Sequence, residues 1–282
     1  MLHVKLTDPP QSREWARCIH RDDGIDLLEA AFERHVYERH IHETYAIGVT
    51  LRGVQRFWCR GATHSSTPGQ VIAIAPGEAH DGSSGAADGY QYRMFYVPLP
   101  ILRDIVQDAL ERPATDVYAD MPMVSDPALS MQLSTAWKAM AGPQPTLASE
   151  ELFHRSVIAL AARHSGLKPS QRVQLNDPAL RKVREYLHDR LEFAVRVGEL
   201  AAIASMSRFQ LTRQFQRAFG LPLHAYHMHA RLEEAKRRLQ AGTPVVRVAA
   251  ELGFSDQSHF HRRFKGAFGI TPSDWRHSFI GT

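Results

Sequence analysis

The feature that most constrains this chain is a helix–turn–helix pattern that occurs twice in its C-terminal third. One copy, Val246–Arg276, reads VRVAAELGFSDQSHFHRRFKGAFGITPSDWR. Within it Phe260, Phe264 and Phe268 recur at intervals of four residues, so they form one apolar stripe along a helix. The spacing therefore predicts an amphipathic helix that packs through these rings.

Residues suited to turns and caps border this helix. Gly253 stands where a tight turn needs a positive φ, and Ser255 or Asp256 can cap the helix that follows. Gly269 ends that helix, and Pro272 prevents its continuation. The pattern predicts a shorter helix, a turn and a second helix.

The other copy, Leu200–Pro222, lies earlier in the chain and reads LAAIASMSRFQLTRQFQRAFGLP. When Gly220 is aligned with Gly269, the apolar positions and one outward arginine match. Upstream of the turn, the difference in residue number between matched positions is smaller by one. The turn of the second copy is therefore predicted to be one residue longer. The matched pairs are Phe219 with Phe268, Phe215 with Phe264, Leu211 with Phe260 and Arg213 with Arg262.

The residues between the copies, Leu223–Gln240, predict one long helix that begins after Pro222. A helix of about 18 residues is roughly 27 Å long, which suits two helices placed about one DNA turn apart. Packing does not require the repeated outward Arg, so its recurrence favours a function such as insertion into the major groove. For one copy alone, an ordinary solvent-exposed helix is an equal alternative.

The residues from about 178 to 278 resemble the AraC/XylS-type transcriptional regulators. The similarity is carried by GFSDQSHFHRRFKGAFGITPSDWR in the second unit and SRFQLTRQFQRAFG in the first. It implies that promoter DNA is read by two recognition helices, that RNA polymerase is a partner, and that activation is the commoner outcome. The DNA-contacting residues implied are Phe209, Thr212, Arg213, Gln257, Ser258, His261 and Arg262.

The charge distribution supports this interpretation. From Asp177 onward the chain has 17 Lys and Arg against 10 Asp and Glu, a net charge of +7, while the preceding residues carry 17 against 20, or −3. A basic C-terminal part next to an acidic remainder fits phosphate binding by one domain. Chance variation among solvated residues is the alternative explanation of this modest excess.

Composition excludes several other classes. Hydrophobic residues make up 44% and charged residues 23% of the chain, as in globular proteins, and no apolar run is long enough for a membrane span. The first ten residues lack a signal-peptide pattern, so we expect a cytoplasmic protein. Cys18 and Cys59 are too few for a disulfide scaffold and have no metal-ligand spacing.

The region from about 26 to 98 predicts short strands separated by Gly and Pro turns, which indicates a barrel or sandwich. The run HIHETYAIGVTLRGVQRF followed by TPGQVIAIAPGEAH resembles the cupin-like sensor domain found in many AraC-type regulators. The resemblance implies a small-molecule effector inside the barrel. The lining residues that it implies are His40, His42, Tyr45, Trp58 and His80.

Three of these residues, His40, His42 and His80, coincide with the histidines of metal-binding cupins. The fourth ligand of those enzymes is a Glu a few residues after the second His, where this chain has Ala46-Ile47-Gly48. We therefore expect no metal, no cofactor and no catalytic residue. A metal-dependent cupin enzyme fused to a DNA-binding domain is the alternative function, and it requires that missing ligand.

Three helices are predicted after the barrel, within about 98–166, and a polar linker at 167–177. The resulting α+β chain has an N-terminal cupin-like β-barrel with helices (1–166) and a C-terminal all-α domain (178–282) with two helix–turn–helix units joined by a long helix. Similarity to dimeric family members suggests a homodimer. Two further alternatives are a sensor domain that only dimerises and a repair fusion with a reactive Cys, which neither cysteine's surroundings favour.

Overall fold

The computed structural model describes residues 14–110, 119–142, 146–165 and 177–280. The chain divides into two compact units on either side of Ser170 and Gln171, and the short segment Tyr37–Ile41 is grouped with the second. The predicted linker at 167–177 lies outside the described residues except for Asp177, so the predicted domain bounds stay a prediction. No helix among the described residues is long and apolar enough to cross a membrane.

The N-terminal part forms two antiparallel sheets. Its strands are β1 (Trp15–His20), β2 (Asp26–Phe32), β3 (Tyr37–His40), β4 (Tyr45–Gly53), β5 (Gln55–Cys59), β6 (Ala62–Ser66), β7 (Gln70–Ile74), β8 (His80–Ser84), β9 (Tyr90–Val97) and β10 (Met123–Ser125). The larger sheet has the order β1-β2-β9-β4-β7-β10, and the smaller one has the order β3-β8-β5-β6. The predicted β-rich domain is confirmed, although β1 and β10 lie outside the predicted region 26–98 and β2, β3, β6 and β8 were not predicted individually.

Helices cover one face of the larger sheet. They are α1 (Leu99–Leu110), α2 (Pro127–Met140) and α3 (Leu147–His164). Trp137 and Phe153 pack with Tyr45, Ile47 and Phe95 in one apolar core. Because side chains alternate along a strand, the residues between these strand positions point to the opposite face of the sheet.

That opposite face is also buried. Ala46 of β4, Tyr92 and Met94 of β9 and Ile72 of β7 are at most 5% exposed. The hydroxyl groups of Thr50 and Ser66, one from each sheet, are 2.8 Å apart in this buried layer. The larger sheet therefore separates a helix-side core from an interior that lies between the two sheets.

The second unit consists of helices with well-defined ends. They are α4 (Pro178–His188), α5 (Val197–Ala204), α6 (Arg208–Phe219), α7 (Leu223–Gln240), α8 (Val245–Glu251), α9 (Gln257–Phe268) and α10 (Pro272–Ile280). The bounds of α7 are those predicted. The sequence after Asp177-Pro178 predicts a helix from Ala179 to Leu191, whereas α4 ends at His188. Helix α10 was not predicted, although Thr271 accepts a hydrogen bond from the Asp274 backbone N–H, a capping pattern visible in the sequence.

Candidate nucleic-acid interface and ligand site

The two predicted recognition helices, α6 and α9, each have one buried and one exposed face. Leu211, Phe215 and Phe219 are buried in α6, as are their counterparts in α9. The seven residues predicted to contact DNA all lie on exposed faces. These are Phe209, Thr212, Arg213, Gln257, Ser258, His261 and Arg262.

Side-chain caps fix the start of both helices. The Ser207 hydroxyl accepts from the Gln210 backbone N–H while the Gln210 side chain accepts from the Ser207 backbone N–H. In α9 the Asp256 carboxylate accepts from the His259 backbone N–H at 2.6 Å, and this bond lowers the pKa of Asp256. Of the two predicted caps, Asp256 is therefore the one used, and each cap sets the helix end that carries the exposed polar residues.

The two turns are equivalent except for one residue. The Met206 backbone N–H donates to Ala201 O, and the Phe254 backbone N–H donates to Ala249 O. Matched residues of these two hydrogen bonds differ by 48 in residue number. The caps Ser207 and Asp256 differ by 49 positions. The extra residue of the second turn is thus Ser255, which confirms the predicted insertion and locates it.

Both turns use a left-handed residue. Gly253 has φ +68°, and a Cβ there would lie 2.2 Å from the carbonyl oxygen of Glu192. The equivalent residue of the first turn is Ser205, with φ +52°. Gly253 is therefore required for both its conformation and its close approach, as the sequence predicted in part.

A buried arginine of α7 holds the second turn. The guanidinium of Arg231 donates to Gly253 O at 3.4 Å and to Phe193 O at 2.6 Å. Burial lowers the pKa of this guanidinium from its ordinary value. Sequence analysis did not single out Arg231, because nothing in a helical pattern distinguishes a buried Arg from a solvated one.

The exposed arginines of the recognition helices differ from those of α7. Among the described residues, neither Arg213 nor Arg262 takes part in an ion pair, whereas Arg238 of α7 pairs with Glu234 and Glu251, each at 2.9 Å. An exposed guanidinium without a carboxylate partner keeps its five N–H donors for bases or phosphates. Both arginines therefore have donors available for a ligand.

Helix α6 also borders an open concavity of about 460 Å³ lined by Phe209, Thr212, Arg213, Gln216 and Arg217. Phe209 is 75% exposed. Arg217 lies one turn after Arg213 and was missed as a site residue. Its position on the outward stripe at i+4 was the signal that could have identified it.

Two of the histidines predicted to bind an effector, His42 and His80, form a small buried cluster. His40, His42 and His80 are each at most 8% exposed. The ring of His42 lies 4.9 Å from that of His80 and 4.8 Å from that of Tyr96. Imidazole nitrogens can hold a transition-metal ion or bind a polar ligand.

The structure does not bring Tyr45 and Trp58 into this cluster. Tyr45 lies opposite Val97 in the β4–β9 pairing and belongs to the helix-side core, where its hydroxyl accepts from the Ala119 backbone N–H at 3.1 Å. Trp58 precedes Cys59, which pairs with His80, so its side chain points to the opposite face of β5. The strand pleat therefore argues against the predicted lining role of both.

Tyr96 was missed by the sequence analysis. It pairs with Ala46 across β4 and β9, on the face opposite Tyr45, and its ring contacts His42 edge to face. The alternation in YQYRMFYV, which puts Tyr90, Tyr92, Met94 and Tyr96 on one face, could have identified it.

Comparison with known proteins identifies both domains. Residues 24–157 match the model of the AraC-like ligand binding domain, and residues 200–278 match a helix-turn-helix domain model. The HTH-type transcriptional regulator YbfI of Bacillus subtilis is 23% identical over 79% of this chain and 81% of its own length. The arabinose operon regulatory protein of Salmonella typhimurium is 24% identical over 82% of this chain and 83% of its own.

A solved structure shows the same fold. The fatty-acid-bound form of ToxT from Vibrio cholerae superposes with a TM-score of 0.59 over 92% of this chain and 96% of its own, at 11% sequence identity. This similarity supports the arrangement of a β-rich domain followed by a helical domain.

Proposed function

Because this chain belongs to the AraC/XylS family of transcription regulators, we propose that α6 and α9 read two half-sites of promoter DNA and that a small molecule bound in the β-rich domain controls this binding. The observation that carries the proposal is the pair of capped helices, each with a buried aromatic stripe and an exposed, polar face. The residues predicted to contact DNA lie on these exposed faces.

Base recognition is assigned to specific side chains. Arg213 and Arg262 lie at equivalent positions and have no ion pair among the described residues, so each can donate to the O6 and N7 acceptors of a guanine. Phe209 in the first unit and Ser258 in the second occupy another equivalent pair, and their different chemistry favours different half-sites. Thr212, Gln257 and His261 complete the proposed surface.

Affinity should depend on salt. The residues from Asp177 onward carry a net charge of +7, and Lys and Arg contacts to phosphates release counterions. We expect operator binding to weaken steeply as salt rises. An effect of salt that is equal on operator and random DNA would assign this charge to non-specific binding.

The proposed effector site is the interior between the two sheets. The buried imidazoles of His42 and His80 and the ring of Tyr96 provide polar and aromatic contacts there. The same proposal includes His40, a buried residue that the resemblance to cupin-like sensor domains implies as part of the lining. A small polar or aromatic molecule would suit such a surface.

The remaining parts of the proposal concern partners. The chain acts in the cytoplasm as a regulator rather than as an enzyme, contacts RNA polymerase at its promoters, activates transcription and forms a homodimer. Dimerisation is testable by analytical ultracentrifugation of the full chain. Activation is testable with a promoter reporter, in which repression by the bound chain would contradict it.

The decisive experiment is footprinting of the full chain on DNA flanking its own gene, followed by selection from random duplexes. We expect protection of two major-groove segments on one face of the duplex, about one helical turn apart. The Arg213→Ala and Arg262→Ala variants should each lose protection of a different segment. A single protected segment would contradict the bipartite interpretation.

A further inference from the structure

We propose that Arg60 is a positioning residue that couples the proposed effector site to the C-terminal end of α3. A ligand bound beside His80 would then act on the last helix of the first unit that the structure describes. The inference rests on the proposed function, because it concerns the regulation of that same site. It uses only residues of the first unit, and its evidence is a series of hydrogen bonds from His80 to His164.

Arg60 occupies a turn position that does not favour an arginine. Cys59 and Ala62 pair across β5 and β6, so Arg60 and Gly61 form a two-residue hairpin turn. Their φ angles are +53° and +83°, and in this left-handed conformation a Cβ is sterically disfavoured. Because glycine would suit position 60 better, the turn alone does not account for the side chain.

The guanidinium of Arg60 joins two segments that are distant in the sequence. Its Nε and Nη2 atoms donate to the two carboxylate oxygens of Glu78, at 2.7 and 3.1 Å. Its Nη1 atom donates to Ala119 O at 2.9 Å and to Asp120 O at 3.0 Å. Since the guanidinium is planar and rigid, a displacement of Glu78 also alters the contacts with the two carbonyl groups.

Glu78 is in turn bonded to the proposed effector site. Its backbone oxygen lies 2.8 Å from Nδ1 of His80, and since a carbonyl oxygen only accepts, Nδ1 is the donor. The Glu78 carboxylate also accepts from the Ala75 backbone N–H at 2.9 Å, which fixes the carboxylate to its own turn. A ligand that reorients the His80 ring would therefore disturb the turn that holds Arg60.

The segment on the other side of Arg60 leads to the end of α3. The Asp120 backbone N–H donates to His164 O at 2.8 Å, and His164 is the last residue of α3. Nε2 of His164 lies 2.9 Å from the carboxylate of Asp126, the residue that caps α2. Arg60 thus connects the turn before β8 with the end of one helix and the start of another.

The test measures hydrogen–deuterium exchange of single amides in the full chain by NMR. It needs neither effector nor DNA, so its failure is distinct from a failure of the proposed function. His80→Ala removes the donor to Glu78 O and should raise exchange of the Asp120 N–H at least about tenfold. Arg60→Gly should raise it as well, and adding His80→Ala to Arg60→Gly should raise it no further.

Two controls separate this coupling from a general loss of stability. The amides of β1 and β2 are the internal reference, because global destabilisation would raise their exchange too. Arg155→Ala is the matched variant, since Arg155 lies exposed on α3 and pairs with Glu151 at 3.6 Å. It should leave exchange of the Asp120 N–H unchanged.

Arg60→Gly also distinguishes coupling from a role confined to the hairpin. If Arg60 served only the turn, glycine would satisfy the same φ and the Asp120 N–H would stay protected, which would overturn the proposal. A protected Asp120 N–H in His80→Ala would overturn it too. So would an equal effect of His80→Ala in chains with and without Arg60, because the coupling would then bypass this side chain.

Discussion

Arg213 and Arg262 are each the sixth residue of their helix, α6 and α9, and both side chains are exposed. The helices start from a Ser207 cap and an Asp256 cap, so the spacing from cap to guanidinium is the same in both units. In the proposed DNA complex, a shared distance from the helix start would give both arginines the same reach into a groove. This relationship underlies the first prediction.

Arg213→Ala and Arg262→Ala should each weaken operator binding by about 1–3 kcal/mol and relax base preference in one half-site. Fluorescence anisotropy on operator duplexes with single base-pair changes measures both effects. Arg237→Ala on α7 is the matched control, because Arg237 is exposed and paired with Glu234. Equal losses on operator and random DNA would assign the two arginines to phosphates instead.

Phe209→Ala and Phe215→Ala should have opposite effects although both lie on α6. Phe209 is 75% exposed, so its truncation should leave stability nearly unchanged and weaken DNA binding. Phe215 is 0% exposed, and its truncation should cost about 3–5 kcal/mol of unfolding free energy. Urea titration and anisotropy separate the two, and unchanged DNA binding by a folded Phe209→Ala variant would remove Phe209 from the interface.

Gly253→Ala should destabilise the second unit far more than Gly242→Ala. Both glycines have positive φ, but a Cβ at Gly253 would meet Glu192 O at 2.2 Å, while one at Gly242 would meet nothing within 4 Å. The control therefore isolates the conformational cost, about 1 kcal/mol, from the steric one. Similar melting temperatures of the two variants would show that Glu192 moves away without cost.

The stability of the second unit should fall as pH is lowered from about 6.5 to about 4. Burial, followed by the charge of Arg231, lowers the pKa of His227 to about 4, and its Nε2 lies 3.1 Å from Arg190 O. The unfolded chain takes up a proton near the ordinary pKa of 6.5, whereas the folded chain resists protonation until about 4. Protonation thus favours unfolding across this interval, and the loss levels off below it.

Chemical denaturation at a series of pH values measures this dependence, and His227→Gln should flatten it. His261→Gln on the exposed face of α9 is the control and should leave the slope unchanged. A slope that persists in His227→Gln would assign the effect to another group.

Local signals in the sequence predicted the helical domain almost completely. Caps, turn glycines and the spacing of Phe260, Phe264 and Phe268 act within one or two helical turns, so they can be read without knowledge of the fold. The exception is α10, which begins at Pro272. The sequence analysis interpreted this proline only as preventing continuation of the preceding helix. Pro at the first helical position both ends the preceding turn and starts a helix.

The proposed effector site was predicted less completely because it depends on strand pairing. The sequence identified the three histidines, yet it placed Tyr45 and Trp58 beside them and omitted Tyr96. Which face of a strand points inward is set by its partners, and a shift of one residue reverses every side chain. The pairing of Tyr45 with Val97 and of Ala46 with Tyr96 could be known only from the folded sheet.

The alternation along β9 has a mechanical consequence. Tyr96 touches the histidine cluster, while its neighbours Phe95 and Val97 are part of the core beneath α1, α2 and α3. A molecule bound against Tyr96, as proposed, would act on a backbone whose neighbouring side chains pack against those helices. Since close-packed cores compress little, occupancy of the proposed site would be transmitted to the outer helices through the thickness of one strand.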